Sequence, residues 1–356
     1  ENGELQLTND IAVSGHFTNS GTLDTNGSGI TFDGAKTQNL VLNTFTSFDA
    51  LTVYTGTTLV EAVTDDNAYI QGTLTNFGTI RKTQPVSGLE FYYFGLAGFY
   101  PDSWGVEIEV TDRSGGDPLT AIQVDRIDAN HPNAPGGATT DIYWTITPAG
   151  ANYVATVVLP QNALADPVAC RYASGAWNCA RSSFDSVKDL TVTRTGVTAF
   201  SDWAVFNTIA TTTTLATSAN PAPVFTQVTF TATVAPATAT GSVEFFADGA
   251  SLGTATLAAG KAQVATGGLT VGTHVITATL IPTGPYLASS GTLAGDQVID
   301  KAATTVALLS NLNPAPYSQA VTVTASVAVS GMTAAERQTG PTGQVRFSDE
   351  SGALAT

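Results

Sequence analysis

The last third of the chain contains a long internal repeat. The sequence Asn-Pro-Ala-Pro at 220–223 returns at 313–316, 93 residues later, and the segment 228–234 returns with the same offset at 321–327. A period near ninety residues is too long for one turn of a solenoid, but it suits a complete β-sandwich domain copied in tandem. Tandem β-sandwiches usually serve as spacers, stalks or fibres, so this repeat indicates architecture more than chemistry.

The second copy of the repeat is incomplete in the sequence, because nothing in it matches residues 260–299 of the first copy. A sandwich that lacks its later strands exposes an unpaired edge and half of a core. Two interpretations stay open. Either the sequence is cut within a domain, or a neighbouring subunit supplies the missing strand, as in fibres assembled by strand donation. The second interpretation predicts self-association or contact with neighbouring surface subunits.

The composition favours strands along the whole chain. Charged residues make up only 12% of it, which leaves few of the lysines and glutamates that usually cover helix surfaces, while Thr and Val are frequent. No segment shows a sustained apolar stripe with the helical period of 3.6 residues. We therefore predict an all-β fold with almost no helix.

Net charge and hydropathy limit the expected partners. The formal charge is −16 and the isoelectric point is about 4.3. The 13 basic residues are scattered, so we expect no nucleic-acid binding. No apolar run approaches twenty residues, so we expect no membrane span. An acidic, lysine-poor chain suits an extracellular protein.

Residues 1–85 consist of short apolar–polar–apolar units that return about every ten residues, separated by Gly, Asn and Asp. Segment 13–23 also matches segment 70–80. Such units suit a β-solenoid, whose alternate side chains point inward and whose turns use Gly or Asn. Asn19 and Asn76 can stack there as turn residues. The Gly-x-Leu-Thr-Asn-x-Gly-Thr pattern resembles the right-handed parallel β-helix stretches of large bacterial surface proteins.

Residues 86–208 predict a β-sandwich, because alternating segments such as 106–110 are separated by turns. The first part of this domain is rich in aromatic residues. These rings belong to the core, to a subunit interface, or to a surface that stacks on the apolar faces of sugars. In the last case the candidates are Tyr92, Tyr100 and Trp104.

The only two cysteines, Cys170 and Cys179, also lie in this domain. A two-residue turn at 174–175 places the cysteines opposite each other and Tyr172 opposite Trp177. Both pairs then occupy non-hydrogen-bonded positions on one face, where side chains approach most closely. We therefore predict a disulfide across the hairpin, with the aromatic pair beside it. A disulfide implies an oxidising compartment.

A loop rich in Asp and Asn offers the best metal candidates. Asp125, Asp128 and Asn130 lie close together in the sequence, next to His131, and their oxygens are ligands that Ca²⁺ prefers. A structural calcium ion is therefore the one cofactor considered. The sequence contains no nucleophile elbow, no zinc-binding His-Glu-x-x-His and no phosphate-binding loop. No catalytic residue is assigned, and the chain is not expected to be an enzyme.

Residues 209–300 form the complete repeat and residues 301–356 the partial second one. The segments that carry a family resemblance are 220–223, 227–234 and 241–245. They resemble the bacterial immunoglobulin-like repeats of surface adhesins and stalks. The resemblance implies a structural or adhesive role.

The predicted fold is therefore all-β: an N-terminal β-solenoid, a middle β-sandwich, and tandem immunoglobulin-like β-sandwiches of which the last is incomplete. The expected function is that of an extracellular structural protein of the bacterial cell surface, which forms a stalk, a fibre or a surface layer. One alternative is an adhesin or carbohydrate-binding module with a glycan partner. A second alternative is an accessory region of a surface hydrolase.

Overall fold

The computed structural model describes residues 4–61, 68–95, 97–98, 105–136, 138, 141–185, 190–329, 341–350 and 352–355. All regular elements among these residues are β-strands, which confirms the all-β prediction. The chain forms two compact units. The first comprises residues 1–211 with the short segments 238–240 and 282–288, and the second comprises the rest.

The first 85 residues form a β-solenoid. Its strands are β1 (Glu4–Gln6), β2 (Ile11–Val13), β3 (Phe17–Asn19), β4 (Thr22–Asp24), β5 (Gly29–Phe32), β6 (Thr37–Leu42), β7 (Thr46–Val53), β8 (Thr58–Glu61), β9 (Ala68–Asn76) and β10 (Thr79–Pro85). They stack in parallel as two walls, β2–β5–β7–β9 and β3–β6–β8–β10, and β1 pairs with β4. The predicted solenoid is thus confirmed.

One turn of the solenoid takes about twenty residues. Ile11 pairs with Ile30, Ile30 with Leu51, and Leu51 with Leu74, at separations of 19, 21 and 23 residues. Each turn contributes one strand to each wall, which explains why the apolar units return about every ten residues. Alternate side chains point inward, and stacking them turn over turn buries a continuous apolar core in which Phe32 is fully buried.

A β-bulge interrupts the ladder between β7 and β9 at Asp49. Opposite it, a Cβ atom built on Gly72 would lie 1.8 Å from the carbonyl oxygen of Asp49. No other residue fits this close backbone approach, so the glycine is required by packing.

A β-sandwich follows within the same compact unit. Its strands are β11 (Phe91–Phe94), β12 (Ala97–Gly98), β13 (Val106–Asp112), β14 (Ala121–Ile127), β15 (Tyr143–Ala149), β16 (Val154–Pro160), β17 (Pro167–Ala173), β18 (Ala176–Ala180), β19 (Ser183–Asp185), β20 (Thr191–Val197) and β21 (Asp202–Asn207). One sheet has the order β11–β13–β16–β20–β19, while β12 pairs with β9 of the solenoid.

The other sheet of the sandwich continues a solenoid wall. Strand β10 pairs in parallel with β8 on one side and antiparallel with β14 on the other. The full order is β3–β6–β8–β10–β14–β15–β21–β17–β18, so nine strands form a single sheet. The last turn of the solenoid therefore has no open edge on this wall, because the sandwich supplies its neighbour. Segment 106–110 alternates as predicted, with Val106, Ile108 and Val110 in the core.

The second compact unit begins with the complete repeat. Its strands are β22 (Thr212–Thr217), β23 (Ala222–Pro223), β24 (Val228–Ala235), β25 (Thr240–Ala247), β26 (Ala250–Thr256), β27 (Lys261–Thr266), β28 (Gly272–His274), β29 (Ile276–Thr283), β30 (Ser290–Thr292) and β31 (Gln297–Asp300). They form the sheets β22–β24–β27, β23–β31–β28 and β26–β25–β29–β30. Phe230 and Phe245 are fully buried.

The partial copy contains β32 (Thr304–Ser310), β33 (Val323–Val329), β34 (Phe347–Asp349) and β35 (Gly352–Ala355). These strands form two separate antiparallel pairs, β32–β33 and β34–β35. In the complete repeat the equivalent of β33 has a neighbour on each side, β22 and β27. In the described part of the partial copy, β33 pairs with β32 alone.

Candidate functional site

The hairpin β17–β18 carries the predicted disulfide. Cys170 is bonded to Cys179, and the register places Tyr172 opposite Trp177. The turn at 174–175 has a positive φ at both positions, 53° and 81°, as a two-residue type I′ turn requires. The disulfide, its register and the neighbouring aromatic pair are therefore confirmed.

The aromatic pair beside the disulfide belongs to a cluster around His131. The rings of Tyr143, Tyr172 and Trp177 each lie 4.9 Å from the His131 ring, measured between centroids. His131 is buried. Burial, and then the negative charge of Asp202, raise the pKa of Tyr143. The cluster is a packed aromatic core and not a stacking platform.

Both ring nitrogens of His131 are engaged. Nδ1 accepts a hydrogen bond from the backbone N–H of Asn133 at 3.1 Å, so Nε2 carries the proton that faces the Asp202 carboxylate at 3.1 Å. Asp202 in turn accepts a hydrogen bond from the hydroxyl of Thr145 at 2.7 Å. The imidazole is therefore held in place as a structural group, without a nitrogen left for a substrate or a metal ion.

The predicted calcium ligands are held by arginines. Asp125 accepts two hydrogen bonds of 2.6 Å from Arg81, and Asp128 accepts two of 2.8 Å from Arg126. The bond to Asp125 raises the pKa of Arg81. Asn130 is exposed. A calcium ion at these carboxylates would have to displace both guanidinium groups. Across the described ranges, no three His, Cys, Asp or Glu side chains are grouped to hold a metal ion.

Of the three sugar-stacking candidates of the middle domain, Tyr92 lies among the described residues. Tyr92 is buried in the sandwich core. Its hydroxyl donates to Glu90 at 2.8 Å and accepts from the backbone N–H of Ser87 at 3.1 Å. Its ring therefore packs against protein and cannot stack on a sugar. Tyr100 and Trp104 lie outside the described residues.

Four other aromatic side chains, which the sequence analysis did not single out, lie on the outside of the solenoid. Phe45 packs against Tyr69, and Tyr54 packs against Phe77. Each residue of these pairs adjoins a buried position, such as Val53 before Tyr54. Strict alternation of inward and outward side chains could have identified them.

A buried ion pair joins two turns of the solenoid. The Lys82 ammonium lies 3.5 Å from the Glu61 carboxylate, and both side chains are almost fully buried. The ammonium also lies 5.8 Å from the ring centre of Tyr93. Glu61 and Lys82 line a small cavity of about 20 Å³, which leaves no room for a substrate. The pair is therefore a structural element of the wall.

An open groove of about 840 Å³ lies in the partial copy. Valine and leucine side chains of β32 and β33 form its floor, and Phe347 lies at its side. The described strands do not cover its apolar floor, and its lining also includes Gln344, Arg346 and Ser348.

Comparison with known proteins supports the assignment of the complete repeat. Residues 213–298 match the family model described as "Bacterial Ig-like domain (group 3)", which confirms the resemblance of this region. Such domains are typical of extracellular or surface proteins with structural or adhesive roles, and neither they nor β-solenoids are typical of enzymes. No curated protein and no solved structure matches the chain. The described residues include no helix suited to cross a membrane.

Proposed function

We propose that the chain belongs to an extracellular structural protein of the bacterial cell surface, a stalk, fibre or surface-layer subunit. The support is its architecture: a solenoid that shares a sheet with a sandwich, then repeated immunoglobulin-like modules. Each is a rigid β module, and adding copies extends a distance without new chemistry. The disulfide suits an oxidising, extracellular location.

The partial copy supports a more specific proposal, which is that subunits assemble by strand donation. Its Val306 is 56% exposed and its Val323 is 43% exposed, whereas the equivalent residues of the complete copy, Thr213 and Phe230, are 7% and 0% exposed. An apolar sheet face of this kind is stable in water only when something covers it. The described strands leave this face uncovered.

The geometry of the complete copy indicates what kind of strand would cover the apolar face of the partial copy. There, β27 pairs antiparallel with β24, with Val264 opposite Phe230. An incoming strand with the alternation of β27 would pair with the free edge of β33 and place its apolar side chains over the groove. We propose that a neighbouring subunit donates such a strand. Main-chain hydrogen bonds would then give affinity, and the apolar groove would fix the register.

Sedimentation velocity over a range of protein concentrations tests strand donation. The chain should associate as concentration rises. A variant extended after Thr356 by residues 255–300 of the complete copy should stay monomeric, because it fills its own groove. Val323→Asp should also weaken association, since it places a charge in the groove, while Thr324→Asp on the opposite face is the matched control. Association that is equally strong in the extended variant would overturn the proposal.

A further inference from the structure

The outer face of the wall β2–β5–β7–β9 carries two aromatic pairs, one at each end of β7, in which Tyr69 is half-buried and the other three rings are exposed. The ring centroids of Phe45 and Tyr69 are 5.6 Å apart, and those of Tyr54 and Phe77 are 6.4 Å apart. Phe45, Tyr54 and Phe77 are 62%, 55% and 62% exposed. Large exposed aromatic side chains in a regular arrangement are unusual on a monomeric protein and mark binding surfaces.

The four rings do not serve the core of the solenoid. That core is complete without them, since Phe48 and Leu51 of the same strand are fully buried on the inner side. Each exposed ring is nevertheless held by its partner on the next turn, so it has a defined orientation before any ligand arrives. Preorganised rings lose little conformational entropy on binding.

The surface between the two pairs is polar and mostly uncharged. Ser47 donates a hydrogen bond of 3.1 Å to Gln71, and Thr52 and Thr75 face outward in register on neighbouring strands. The one acid of β7, Asp49, is occupied, because it accepts hydrogen bonds from the Thr25 hydroxyl and from the backbone N–H of Gly27. Hydroxyl and amide groups thus separate the aromatic pairs.

We propose that this outer face binds an extended, uncharged glycan chain. Aromatic rings stack on the apolar faces of sugars, while hydroxyl and amide side chains bond sugar hydroxyls. The nine residue steps from Phe45 to Tyr54 span about 30 Å at about 3.3 Å per residue, so a single sugar cannot contact both pairs. The occupant is therefore an oligosaccharide or polysaccharide that lies along β7.

Charge decides which class of glycan fits. Residues 1–85 contain nine acidic and three basic residues, which gives a net charge of −6. A polyanionic glycan would be repelled by this field, whereas a neutral one is not affected. The glycan site is independent of strand donation, because it lies in the solenoid and the open groove lies in the partial copy.

A glycan array probed with the full chain tests the proposal. The array should carry neutral linear glycans of increasing length beside polyanionic ones. We expect binding to neutral linear glycans that strengthens with chain length. Tyr54→Ala/Phe77→Ala and, separately, Phe45→Ala should each weaken that binding at least tenfold. Phe91→Ala is the matched control, since Phe91 is equally exposed, at 62%, but lies in the sandwich, and it should leave binding unchanged.

Three results would overturn the proposal, provided that circular dichroism shows the variants folded. The first is no binding to any neutral linear glycan, and the second is binding to polyanionic glycans alone. The third is an unchanged affinity in both solenoid variants. Sedimentation of Tyr54→Ala/Phe77→Ala tests whether the rings instead bind a second copy of the chain. If self-association falls and no glycan binds, the rings dock a second copy, and the glycan assignment is wrong.

Discussion

Lys82 and Glu61 form an ion pair inside the molecule, with 3.5 Å between the ammonium nitrogen and the nearest carboxylate oxygen. They are register partners on the neighbouring parallel strands β10 and β8. Strand β10 is also the strand that joins the solenoid wall to the sandwich. The pair therefore lies, almost fully buried, at the junction of two modules.

Removing one member of this pair should destabilise the first compact unit strongly. Lys82→Met removes the ammonium group that faces the buried Glu61 carboxylate, and losses of about 3–5 kcal/mol are usual when one member of a buried ion pair is removed. The double variant Lys82→Met/Glu61→Leu should recover most of that loss, since both charges of the buried pair are then absent. Urea denaturation of the three proteins measures both effects. Equal stability of the single variant and the wild type would show that the pair does not contribute.

The disulfide should stabilise the sandwich by an amount set by its short loop. Cys170 and Cys179 are nine residues apart, and closing a loop of this size in the unfolded chain contributes about 2–3 kcal/mol. Denaturation with and without dithiothreitol should show a loss of this order. Cys170→Ala/Cys179→Ala is the control, because its stability should not respond to the reductant. A wild type that is equally insensitive would contradict the prediction.

The complete repeat should be less stable at alkaline pH because of His274. Its Nδ1 lies 2.7 Å from the Asp248 carboxylate and its Nε2 lies 2.8 Å from the Thr270 carbonyl, so both nitrogens face acceptors and the protonated ring is favoured. The Thr270 carbonyl and then Asp248 raise the pKa of His274, while the hydrogen bond from His274 lowers the pKa of Asp248.

The sign of each effect follows from linkage. The raised pKa of His274 stabilises the fold fully below the ordinary value of about 6.5, and this contribution is lost as pH rises through the raised value. The lowered pKa of Asp248 stabilises the fold above about 3.9, and this contribution is lost as pH falls through the lowered value. The melting temperature of the second unit should therefore fall above about pH 6.5, and His274→Gln should flatten this slope. Parallel slopes in the two proteins would refute the assignment.

Removal of calcium should not change the stability of the sandwich. The carboxylates of Asp125 and Asp128 already bind Arg81 and Arg126 with short, double hydrogen bonds. The melting temperature in EDTA should therefore equal that in millimolar CaCl₂. A clear increase with Ca²⁺ that disappears in Asp128→Asn would instead support the calcium site that the sequence predicts.

The structural features that were best predicted from the sequence are those that depend on local chemistry. The hairpin at Cys170 and Cys179 could be predicted in full, because a two-residue turn fixes every cross-strand pair. The solenoid could be predicted because its units repeat. The stacking of Asn19 on Asn76 was wrong: Asn19 pairs with Leu42 in one wall and Asn76 with Val53 in the other. Their similarity is local, since each side chain accepts a hydrogen bond from the backbone N–H two residues later.

Other features depend on contacts that one segment alone does not determine. Four aromatic residues in a row, Phe91 to Phe94, have no apolar–polar alternation, so the sequence cannot show which of them face inward. The structure buries Tyr92 and exposes Phe91. Lys82 and Glu61 meet because one solenoid turn separates them, and the turn length is known only from the register.

Electron microscopy of the purified protein at high concentration tests the central claim most directly. The account predicts ordered assemblies, such as filaments, that disappear when residues 255–300 are appended to fill the open groove of the partial copy. Isolated monomers at every concentration, with the groove still open, would contradict it.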